Sequence, residues 1–487
     1  MKYKRILFIR ANLETAWVGA VNPPIGIAYL IEALKQHECE CKTIDTMDGI
    51  TPDLILDEIN TFKPDLIGVS MLTYRYKDTY ALIRKIKEGF SNLLIIVGGA
   101  HLSTMREMVL KECKYIDYGF VRDSEESIVE FCQGIEPAKI KGILHRSNDN
   151  VIFTGERNYP TDIDNIRWPR EYGIELERYL SKELLILSSR GCPYSCIFCP
   201  VSLAIGKALR TRSSSNVVDE IEYWYKLGYR RFQMLDDNFT FYKERTIEIC
   251  NEIKRRGLND IKFRCGNGIR ADRVDKEVLQ KMQEVGFVYV SYGVESGNDV
   301  ILKRLKKGET LEQIENAIKT SIELGYDVTL FFVIGSPGET VQDVEDSIEV
   351  ALKYPILDVR FYNLIPYPGT ELYKWVMEND YFVRKPEEYL NDSSGFSEYP
   401  VFETPEFTYK QRVDVFKKLN GTMKTVRKKA IKRKFSKLGV IGLLIYYLFC
   451  NIYISNNFQK IVRQNKTIRR MADFVYNLLT QKSEIAK

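Results

Sequence analysis

The chain has 487 residues, of which 45% are hydrophobic and 28% charged, a balance that allows sizeable cores and argues against disorder. At about 150 residues per domain, this length allows about three domains. The net charge of +5 is concentrated in residues 410–437, which hold twelve Lys and Arg against one acid, Asp414, so the basicity concerns that segment alone.

Residues 1–135 alternate strand-like and helix-like runs. The apolar runs RILFI, LIGVSM and LLIIVGG are separated by the amphipathic patterns PIGIAYLIEALKQ and TYALIRKIKEGF. Continuous apolar strands between amphipathic helices predict a Rossmann-like, doubly wound parallel sheet covered on both faces. Ligands of such sheets bind at the carboxyl ends of the strands, which here hold Asn12, Ser70, Met71, Leu72, Gly98 and Gly99.

The first residues give a prediction about the cellular compartment. MKYKRILFIR has only four consecutive apolar residues, Ile6 to Ile9, too few for the core of a signal peptide. We therefore expect a cytoplasmic protein, in which clustered thiols bind metal or react rather than form disulfides.

The alternation stops from residue 136 to 182, where NYPTDIDNIRWPREYG predicts an ordered linker between domains. A second βα series follows, with predicted strands at ELLILSSRG, RFQMLDD, IKFRCGN, YVSYGVES, VTLFFVIG and VRFYNLIP. Four intervening helical segments end at a glycine, which favours a left-handed cap: Gly228, Gly257, Gly286 and Gly325. Six strands in this order predict a partial (β/α)6 TIM-type barrel over residues 183–400, with its active site at the carboxyl ends of the strands.

Three cysteines, Cys192, Cys196 and Cys199, follow the first of these strands in the stretch RGCPYSCIFCP. A closed zinc site needs four ligands, and none of the chain's three histidines forms a zinc-type pairing with a further cysteine. A dithiol redox pair would use Cys196 and Cys199 and leave Cys192 without a role. An iron–sulfur cubane held by three thiolates keeps one iron free for a substrate or cofactor, which suits the catalytic end of a barrel.

With these motifs, the sequence resembles the radical S-adenosylmethionine (SAM) superfamily. The resemblance continues through LDDNF (235–239), GVESG (293–297), FVIGSPGET (332–340) and PYPGT (366–370), and covers about residues 183–375. It implies that the three cysteines hold a [4Fe–4S] cluster whose fourth iron binds SAM. It also implies that SAM is cleaved to a 5′-deoxyadenosyl radical, which removes hydrogen from the substrate.

The resemblance assigns SAM contacts to single residues. Phe198 would lie beside the adenine, and the backbone of Gly335 and Ser336 would approach it closely. Glu295 would hydrogen-bond the ribose; its alternative is a surface salt bridge.

Asp236 and Asp237 stand where many relatives contact the SAM amino group, although this pair departs from the commoner Gly-Gly-Glu. The alternative for them is a helix cap with a solvated acid. Arg270 and Asp272 are expected to fix a loop, and Cys265 either packs in the core or faces the cavity.

Residues 1–135 resemble the cobalamin-binding domain that precedes the radical domain in one subfamily. Two motifs carry this likeness: Ser70 would bond the nucleotide tail in the first, which includes Leu72, and Gly98 and Gly99 in the second would make room for the corrin ring. PPIGIAYL (23–30) and VRDSEES (121–127) follow the same pattern.

One feature of that subfamily is missing. Many cobalamin domains carry a cobalt-binding histidine after the first strand, but the corresponding stretch RANLETAWVG has none. Either cobalamin binds without a histidine ligand, or the domain has lost its cofactor. His101 either faces the corrin or its tail, or is an ordinary polar loop residue.

The C-terminal region, residues 401–487, is predicted to be helical. Its basic segment precedes LGVIGLLIYYLFCNIYIS (438–455), eighteen residues without a charge, which just reach the length of a membrane span. The stretch fits equally an interfacial or substrate-capping helix, or a helix packed against the barrel with a solvated basic face. Peripheral membrane contact through residues 410–455 would favour a lipid-like substrate, whereas nucleic acid is disfavoured because no base-reading module is present.

Together the two resemblances imply a cobalamin-dependent radical SAM methyltransferase that acts on an unactivated carbon of a small-molecule or lipid-like substrate. The chemistry needs a dry cavity between the domains and an electron donor such as flavodoxin or ferredoxin. The alternatives are an oxidative cyclase or rearrangement enzyme without net methyl transfer, and a non-catalytic metal-binding or redox-sensing module.

Overall fold

The computed structural model describes residues 1–454, apart from 12–21, 49, 149, 180–182, 393–398 and 438. Asn12, and with it most of the stretch RANLETAWVG, lies outside the described residues. The same holds for the chain after residue 454.

The first sheet has seven strands in the order β2-β1-β3-β4-β5-β6-β7, and β1 to β5 run parallel. Its strands are β1 (Arg5–Ala11), β2 (Glu40–Asp45), β3 (Leu66–Met71), β4 (Leu94–Gly98), β5 (Tyr118–Phe120), β6 (Ile143–Ser147) and β7 (Asn150–Phe153). Its helices are α1 (Ile25–Lys35), α2 (Pro52–Phe62), α3 (Tyr76–Gly89), α4 (Ala100–Met105), α5 (Glu107–Glu112) and α6 (Glu125–Gln133).

The central strand β1 shows why this sheet is covered on both faces. Leu7 and Ile9 pack into the core that includes residues of α2 and α3, whereas Ile6 and Phe8 pack into the core that includes residues of α1 and α6. Successive side chains of a strand point to opposite faces, so a strand between two helical layers has to be apolar at every position.

The first sheet extends into residues 136–182, where the sequence analysis placed a linker. β6 and β7 form an antiparallel hairpin that continues the sheet beyond β5. Both strands are short and partly exposed, so they carry polar residues and lack the continuous apolar run of a buried parallel strand. The segment that connects the first sheet to the second therefore begins only after Phe153.

The second sheet has six parallel strands in the order β15-β14-β13-β12-β11-β8, beside a two-stranded pair of β9 and β10. The strands are β8 (Glu183–Ile186), β9 (Ser189–Arg190), β10 (Arg210–Thr211), β11 (Arg231–Met234), β12 (Lys262–Ile269), β13 (Phe287–Glu295), β14 (Asp327–Ile334) and β15 (Asp358–Asn363). The helices are α7 (Val201–Ala204), α8 (Ser214–Lys226), α9 (Lys243–Arg255), α10 (Lys276–Glu284), α11 (Asp299–Arg304), α12 (Leu311–Glu323), α13 (Val341–Lys353), α14 (Glu371–Glu378) and α15 (Pro386–Tyr389). This open barrel confirms the predicted fold class.

The chain then forms α16 (Tyr409–Ser436) and α17 (Gly439–Ile454). Thr408 and Gln411 form a capping box that starts α16. The helix packs on the barrel, where Arg427 and Lys434 pair with Asp358 and Asp327 at the first residues of β15 and β14.

Within the described ranges, no helix is both long and apolar enough to cross a membrane.

Candidate active site between the two sheets

A cavity of about 410 Å³ lies between the carboxyl ends of the two parallel sheets. Ser70, Gly98 and Gly99 form part of its wall on the side of the first sheet, and Asp237 forms part of the opposite wall. The motifs PPIGIAYL and VRDSEES also contribute, through Ile25, Gly26, Ile27, Tyr29, Leu30, Arg122, Asp123, Ser124 and Glu125. Residues that were predicted for two different cofactors therefore border one space.

Gly98 and Gly99, at the end of β4, are glycines for different reasons. Gly99 has a φ of 100°, and a Cβ atom there would lie 2.6 Å from the carbonyl oxygen of Met71, too close for a real side chain. A Cβ atom on Gly98 would meet Phe120 O at an ordinary 3.5 Å. The fold thus requires glycine at position 99, whereas the missing side chain of Gly98 enlarges the cavity.

Leu72 and His101 lie outside the cavity lining. Leu72 is 41% exposed. The buried ring of His101 stacks on Tyr76 with 4.6 Å between ring centroids, and its Nδ1 lies 3.4 Å from Thr73 Oγ1. Burial lowers the pKa of His101 to about 4, so the ring is neutral at physiological pH. His101 is therefore a packing residue behind the cavity wall.

The cysteine loop is fixed by hydrogen bonds from distant parts of the barrel. The N–H of Ile197 donates to Leu305 O at 3.1 Å, and the carbonyl of Ile197 accepts from the N–H of Leu372 at 3.0 Å. Asn238 Nδ2 donates to Cys192 Sγ at 3.1 Å. The thiols of the loop are thus held in place by three segments that lie far apart in the sequence.

Burial raises the pKa of the Cys192, Cys196 and Cys199 thiols, that of Cys199 to about 12. Deprotonated thiolates here need positive charge nearby, and Lys307 and Arg270 act in that direction on Cys196. In the part of the chain that the structure describes, no three His, Cys, Asp or Glu side chains converge as a single metal ion requires. A cluster has a different requirement, because its thiolates bind separate irons and stand apart.

Asp236 and Asp237 have different surroundings. Asp236 is buried and accepts hydrogen bonds from Ser188 N at 3.2 Å, Ser188 Oγ at 2.7 Å and the Ser189 hydroxyl. Asp237 faces the cavity, and burial together with the charge of Asp236 raises its pKa to about 7. The alternative of a helix cap is wrong, because α9 begins only at Lys243.

Glu295 ends β13 and is 9% exposed, so its salt bridge is buried rather than on the surface. Lys307 Nζ donates to Glu295 Oε1 at 3.0 Å and lies 3.3 Å from Glu309 Oε2. Burial alone would lower the pKa of Lys307, but Glu295 and Glu309 together raise it, so Lys307 stays charged.

Arg270 and Asp272 fix a loop beside this network, as predicted. Arg270 Nε donates to Asp272 Oδ1 at 2.8 Å, and Nη1 donates to Lys307 O at 2.8 Å. The guanidinium also lies 3.6 Å from the ring centroid of Tyr194, within the cysteine loop.

Gly335 and Ser336 form the turn after β14, and both of their N–H groups donate to Glu339 Oε2. Gly335 has a φ of 102°, and a Cβ atom there would overlap the buried guanidinium of Arg412. Arg412 reaches this point from α16 and donates to Ile334 O at 3.0 Å. Glycine at position 335 therefore makes room for an arginine from the C-terminal helix.

The remaining candidates are partly or fully buried. Phe198 is half-buried and packs at the edge of the core that includes α2 and α3. Cys265 is buried in the barrel core, which is the packing role that the sequence left open.

Asn238, Lys307 and Arg190, the last of which lines the cavity, belong to this region but were not predicted as its residues from the sequence. Asn238 lies within LDDNF, directly after the two aspartates, and that position was a usable signal. Lys307 carries no local signal, because its partner Glu295 is twelve residues away on another element.

Comparison with known proteins identifies two families along the chain. The family model described as "Radical SAM superfamily" matches residues 186–351, and the one described as "B12 binding domain" matches residues 14–131. The chain is 30% identical over 469 residues to an uncharacterised methyltransferase of Pyrococcus horikoshii, which covers 92% of this chain and 100% of that protein. It is 26% identical over 389 residues to the anaerobic magnesium-protoporphyrin IX monomethyl ester cyclase of Cereibacter sphaeroides, over 76% of this chain and 63% of that protein.

Solved structures show the same fold. The radical SAM methyltransferase TsrM from Kitasatospora setae, with cobalamin and a [4Fe–4S] cluster bound, superposes with a TM-score of 0.69 at 20% identity over 79% of each chain. The cobalamin-dependent SAM radical enzyme OxsB, with aqua-cobalamin and SAM bound, gives a TM-score of 0.66 at 16% identity over 99% of this chain and 74% of that one. The chain therefore belongs to the radical SAM superfamily, among the members that carry a B12-binding domain ahead of the radical SAM domain.

Proposed function

We propose that the chain is a cobalamin-dependent radical SAM methyltransferase that acts on an unactivated carbon of a small molecule. One observation carries this proposal: a single cavity is bordered by Gly98 and Gly99 on one side and by Asp237 and the strand before the cysteine loop on the other. Methyl transfer to a carbon radical needs both reactants in one space from which water is excluded. The Pyrococcus relative and TsrM are both named methyltransferases, which supports the same reaction.

Cys192, Cys196 and Cys199 would hold the [4Fe–4S] cluster, which supplies the electron that cleaves SAM. The donor set fits this role, because three half-buried thiols stand on one loop beside cationic Lys307 and Arg270. The Asn238 amide, which donates to Cys192, stabilises a thiolate at that position.

SAM would lie between this loop and the ends of β11, β13 and β14. Asp236 already accepts hydrogen bonds from Ser188 and Ser189, whereas Asp237 faces the cavity. Asp237 would therefore accept a hydrogen bond from the SAM amino group. Lys307 donates a hydrogen bond to Glu295 Oε1. The second carboxylate oxygen of Glu295 would therefore accept a hydrogen bond from the ribose. Phe198 and the backbone of Gly335 and Ser336 would border the adenine.

Cobalamin would lie against Ser70, Gly98 and Gly99. The ring would have room because Gly98 carries no side chain toward the cavity. Ser70, beside Gly98 on the neighbouring strand β3, offers a hydroxyl. His101 is packed behind the wall, so we expect no cobalt ligand from it.

The test is anaerobic purification with hydroxocobalamin, iron and sulfide, followed by metal and corrinoid analysis and an assay for 5′-deoxyadenosine. We expect about four irons and one corrinoid per chain. Cys199→Ala should abolish 5′-deoxyadenosine formation, whereas the matched control Cys250→Ala, in the barrel core, should keep it. Reconstituted wild-type protein without SAM cleavage would contradict the proposal and favour a non-catalytic metal-binding or redox-sensing module.

An oxidative cyclase or rearrangement enzyme is the second candidate, because a relative over 76% of this chain is named a cyclase. The two reactions differ in product mass. A product heavier by one methyl group supports the methyltransferase, and a product without added carbon supports the second candidate. Reduced flavodoxin or ferredoxin would supply the electron in the cell, and SAM cleavage with either protein in place of dithionite tests this partner.

The surface formed by α16 and α17 would contact anionic lipid. Val440, Leu444 and Tyr447 are 75%, 58% and 66% exposed and recur at helical spacing. The exposed Lys428 and Lys432 lie nearby on α16, and Lys432 Nζ is 5.9 Å from the Tyr447 ring. Exposed apolar groups beside lysines are typical of an interfacial helix, and such contact would favour a lipid-like substrate.

Cosedimentation with phosphatidylcholine vesicles, with and without phosphatidylserine, tests this contact. We expect binding only to the anionic vesicles. Lys428→Gln combined with Lys432→Gln should weaken binding about thirtyfold, at about 1 kcal/mol per lysine. The control Lys85→Gln, on α3 beside the first sheet, should bind as wild type. Equal binding to both kinds of vesicle would contradict the proposal.

A further inference from the structure

The turn between β5 and α6 contacts both ends of the cysteine segment. At one end, Arg190 lies two residues before Cys192. Its guanidinium is bonded to Asp123 Oδ2 at 3.0 Å and to Glu125 Oε1 at 2.7 Å. Arg210, which pairs with Arg190 across the β9–β10 pair, binds the same Asp123. Two acids beside the first sheet thus meet two arginines of the β9–β10 pair.

At the other end of the segment, the contact comes from the preceding residue of the same turn. Arg122 Nε donates to the carbonyl oxygen of Leu203 in α7 at 3.3 Å. The N–H of Arg122 donates to Ser103 Oγ at 2.9 Å, which ties this turn back to α4. Residues 122–125 therefore span the cysteine segment, residues 190–204, from end to end.

A third element encloses Arg190. The Tyr29 ring of α1 lies 4.6 Å from its guanidinium, and the Arg190 side chain is only 7% exposed. Asp123 and Glu125 are each 12% exposed. Buried charges that balance one another are costly to separate, because the partner left behind stays largely shielded from solvent without a counter-charge. Tyr29, Asp123, Glu125 and Arg190 all line the cavity.

We propose that residues 122–125 and Arg190 are positioning residues, which set the place of the cysteine loop relative to the cavity end of the first sheet. The loop has no strand or long helix of its own between Arg190 and Val201, so its position depends on its contacts. Ile197 and Cys192 bind it to the barrel, and residues 122–125 bind its two ends to the side of the first sheet. This inference rests on the proposed function in one respect: the distance that these contacts fix would be the distance between the cluster and the corrin ring.

The first test uses the full chain without cofactors and measures hydrogen–deuterium exchange. Arg190→Met should speed exchange in residues 191–205 about tenfold, because the loop opens locally. Exchange in α13, which connects β14 and β15 at the opposite edge of the second sheet from β8, should stay as in wild type. The matched control is Arg84→Met, which removes an exposed arginine paired with Glu88 on α3 and should change neither region. If Arg190→Met fails to fold, the same measurement on Glu125→Gln tests the inference instead, because this variant removes one of the two charge pairs of Arg190.

The second test uses the protein reconstituted with cluster and hydroxocobalamin, and measures by pulsed EPR the magnetic coupling between the reduced cluster and Co(II). We expect one narrow distance in wild type and in Arg84→Met, and a spread of distances in Glu125→Gln at equal iron and corrinoid content. Unchanged exchange of residues 191–205 in both variants, or an unchanged distance in Glu125→Gln, would overturn the inference. Wild-type protein that takes up neither cofactor would instead contradict the proposed function, and the exchange measurement would still decide the positioning role.

Discussion

At the scale of single residues, the fully buried Glu339 carboxyl group holds the turn after β14. It accepts from the N–H groups of Gly335 and Ser336, and burial raises its pKa to about 7. In the unfolded chain a glutamate titrates near 4.3. Between these two pKa values the native state keeps a proton that the unfolded chain has lost. The contribution of Glu339 to the free energy of unfolding therefore falls as the pH rises from 5 to 8.

Glu339→Gln removes this titration and keeps an oxygen that accepts hydrogen bonds. We expect urea unfolding at pH 5, 6, 7 and 8 to show a smaller loss of stability with rising pH in the variant than in wild type. The control Glu244→Gln, at an exposed position of α9, should follow the wild-type curve. Parallel curves for wild type and Glu339→Gln would show that this carboxyl group does not titrate as described.

The contact between Gly335 and Arg412 gives a second prediction for single residues. Gly335→Ala would place a methyl group on the buried guanidinium and strain a φ of 102°, so we expect a loss of about 1–3 kcal/mol in the free energy of unfolding. Gly421→Ala, in open space on α16, should instead add about 0.5–1 kcal/mol. Chemical denaturation measures both, and equal effects would contradict the overlap at position 335.

At the scale of elements, α16 packs into the core of the barrel. It runs along the edge of the sheet formed by β15. Arg412 lies near the carboxyl end of β14, and Lys434 pairs with Asp327, the first residue of β14. Leu419 lies between these points and is fully buried in the barrel core. The basic segment thus has paired cations on its barrel side and exposed lysines on the other, which matches the alternative of a helix packed against the barrel with a solvated basic face.

Leu419→Ala should therefore lower the free energy of unfolding by about 2–5 kcal/mol, as for other buried leucines. Lys417→Ala, at a position exposed by 76%, should change it by less than about 0.5 kcal/mol. Urea unfolding followed by circular dichroism measures both variants. A small effect of Leu419→Ala would mean that α16 is not part of the barrel core in solution.

Strands with a regular pattern of buried apolar residues were the ones that the sequence predicted well. The six predicted runs of the second series coincide with β8, which is buried throughout, and with β11 to β15, where buried residues recur along each strand, at alternate positions in β11 and β15. The predicted helix-ending glycines have positive φ values: Gly228 at 93°, Gly257 at 65°, Gly286 at 98° and Gly325 at 88°. By contrast, β6 and β7 escaped prediction, because a half-exposed edge hairpin has no such pattern.

Contacts between distant elements could not be predicted in the same way. Periodicity tells which face of an element is buried, and it does not tell which residue of another element meets that face. Nothing local to Asp123 indicates Arg190, and nothing local to Gly335 indicates Arg412. The cysteine motif could be found because its ligands are close in the sequence, whereas the residues that hold its loop are scattered over the chain.

At the scale of the whole molecule, the hydrophobic cores continue from one sheet to the other. The core that contains Ile59 of α2 also contains Ile301 and Leu305 beside the second sheet. The core of the barrel likewise includes Ala28 of α1. Two sheets that share their cores and a buried set of charges should lose their structure together, although the sequence assigned them to separate domains.

This continuity predicts one cooperative unfolding transition, and a pair of variants tests it. Ile59→Ala in α2 and Leu279→Ala in α10 each remove a buried side chain, at a cost of about 2–5 kcal/mol, from opposite parts of the molecule. If the sheets unfold as one unit, calorimetry shows a single peak, and each variant lowers the temperature of that whole peak. If they unfold independently, two peaks appear, and each variant shifts only the peak of its own sheet. Fluorescence and circular dichroism recorded on the same samples should give coincident curves in the first case, because both probes then report the same event.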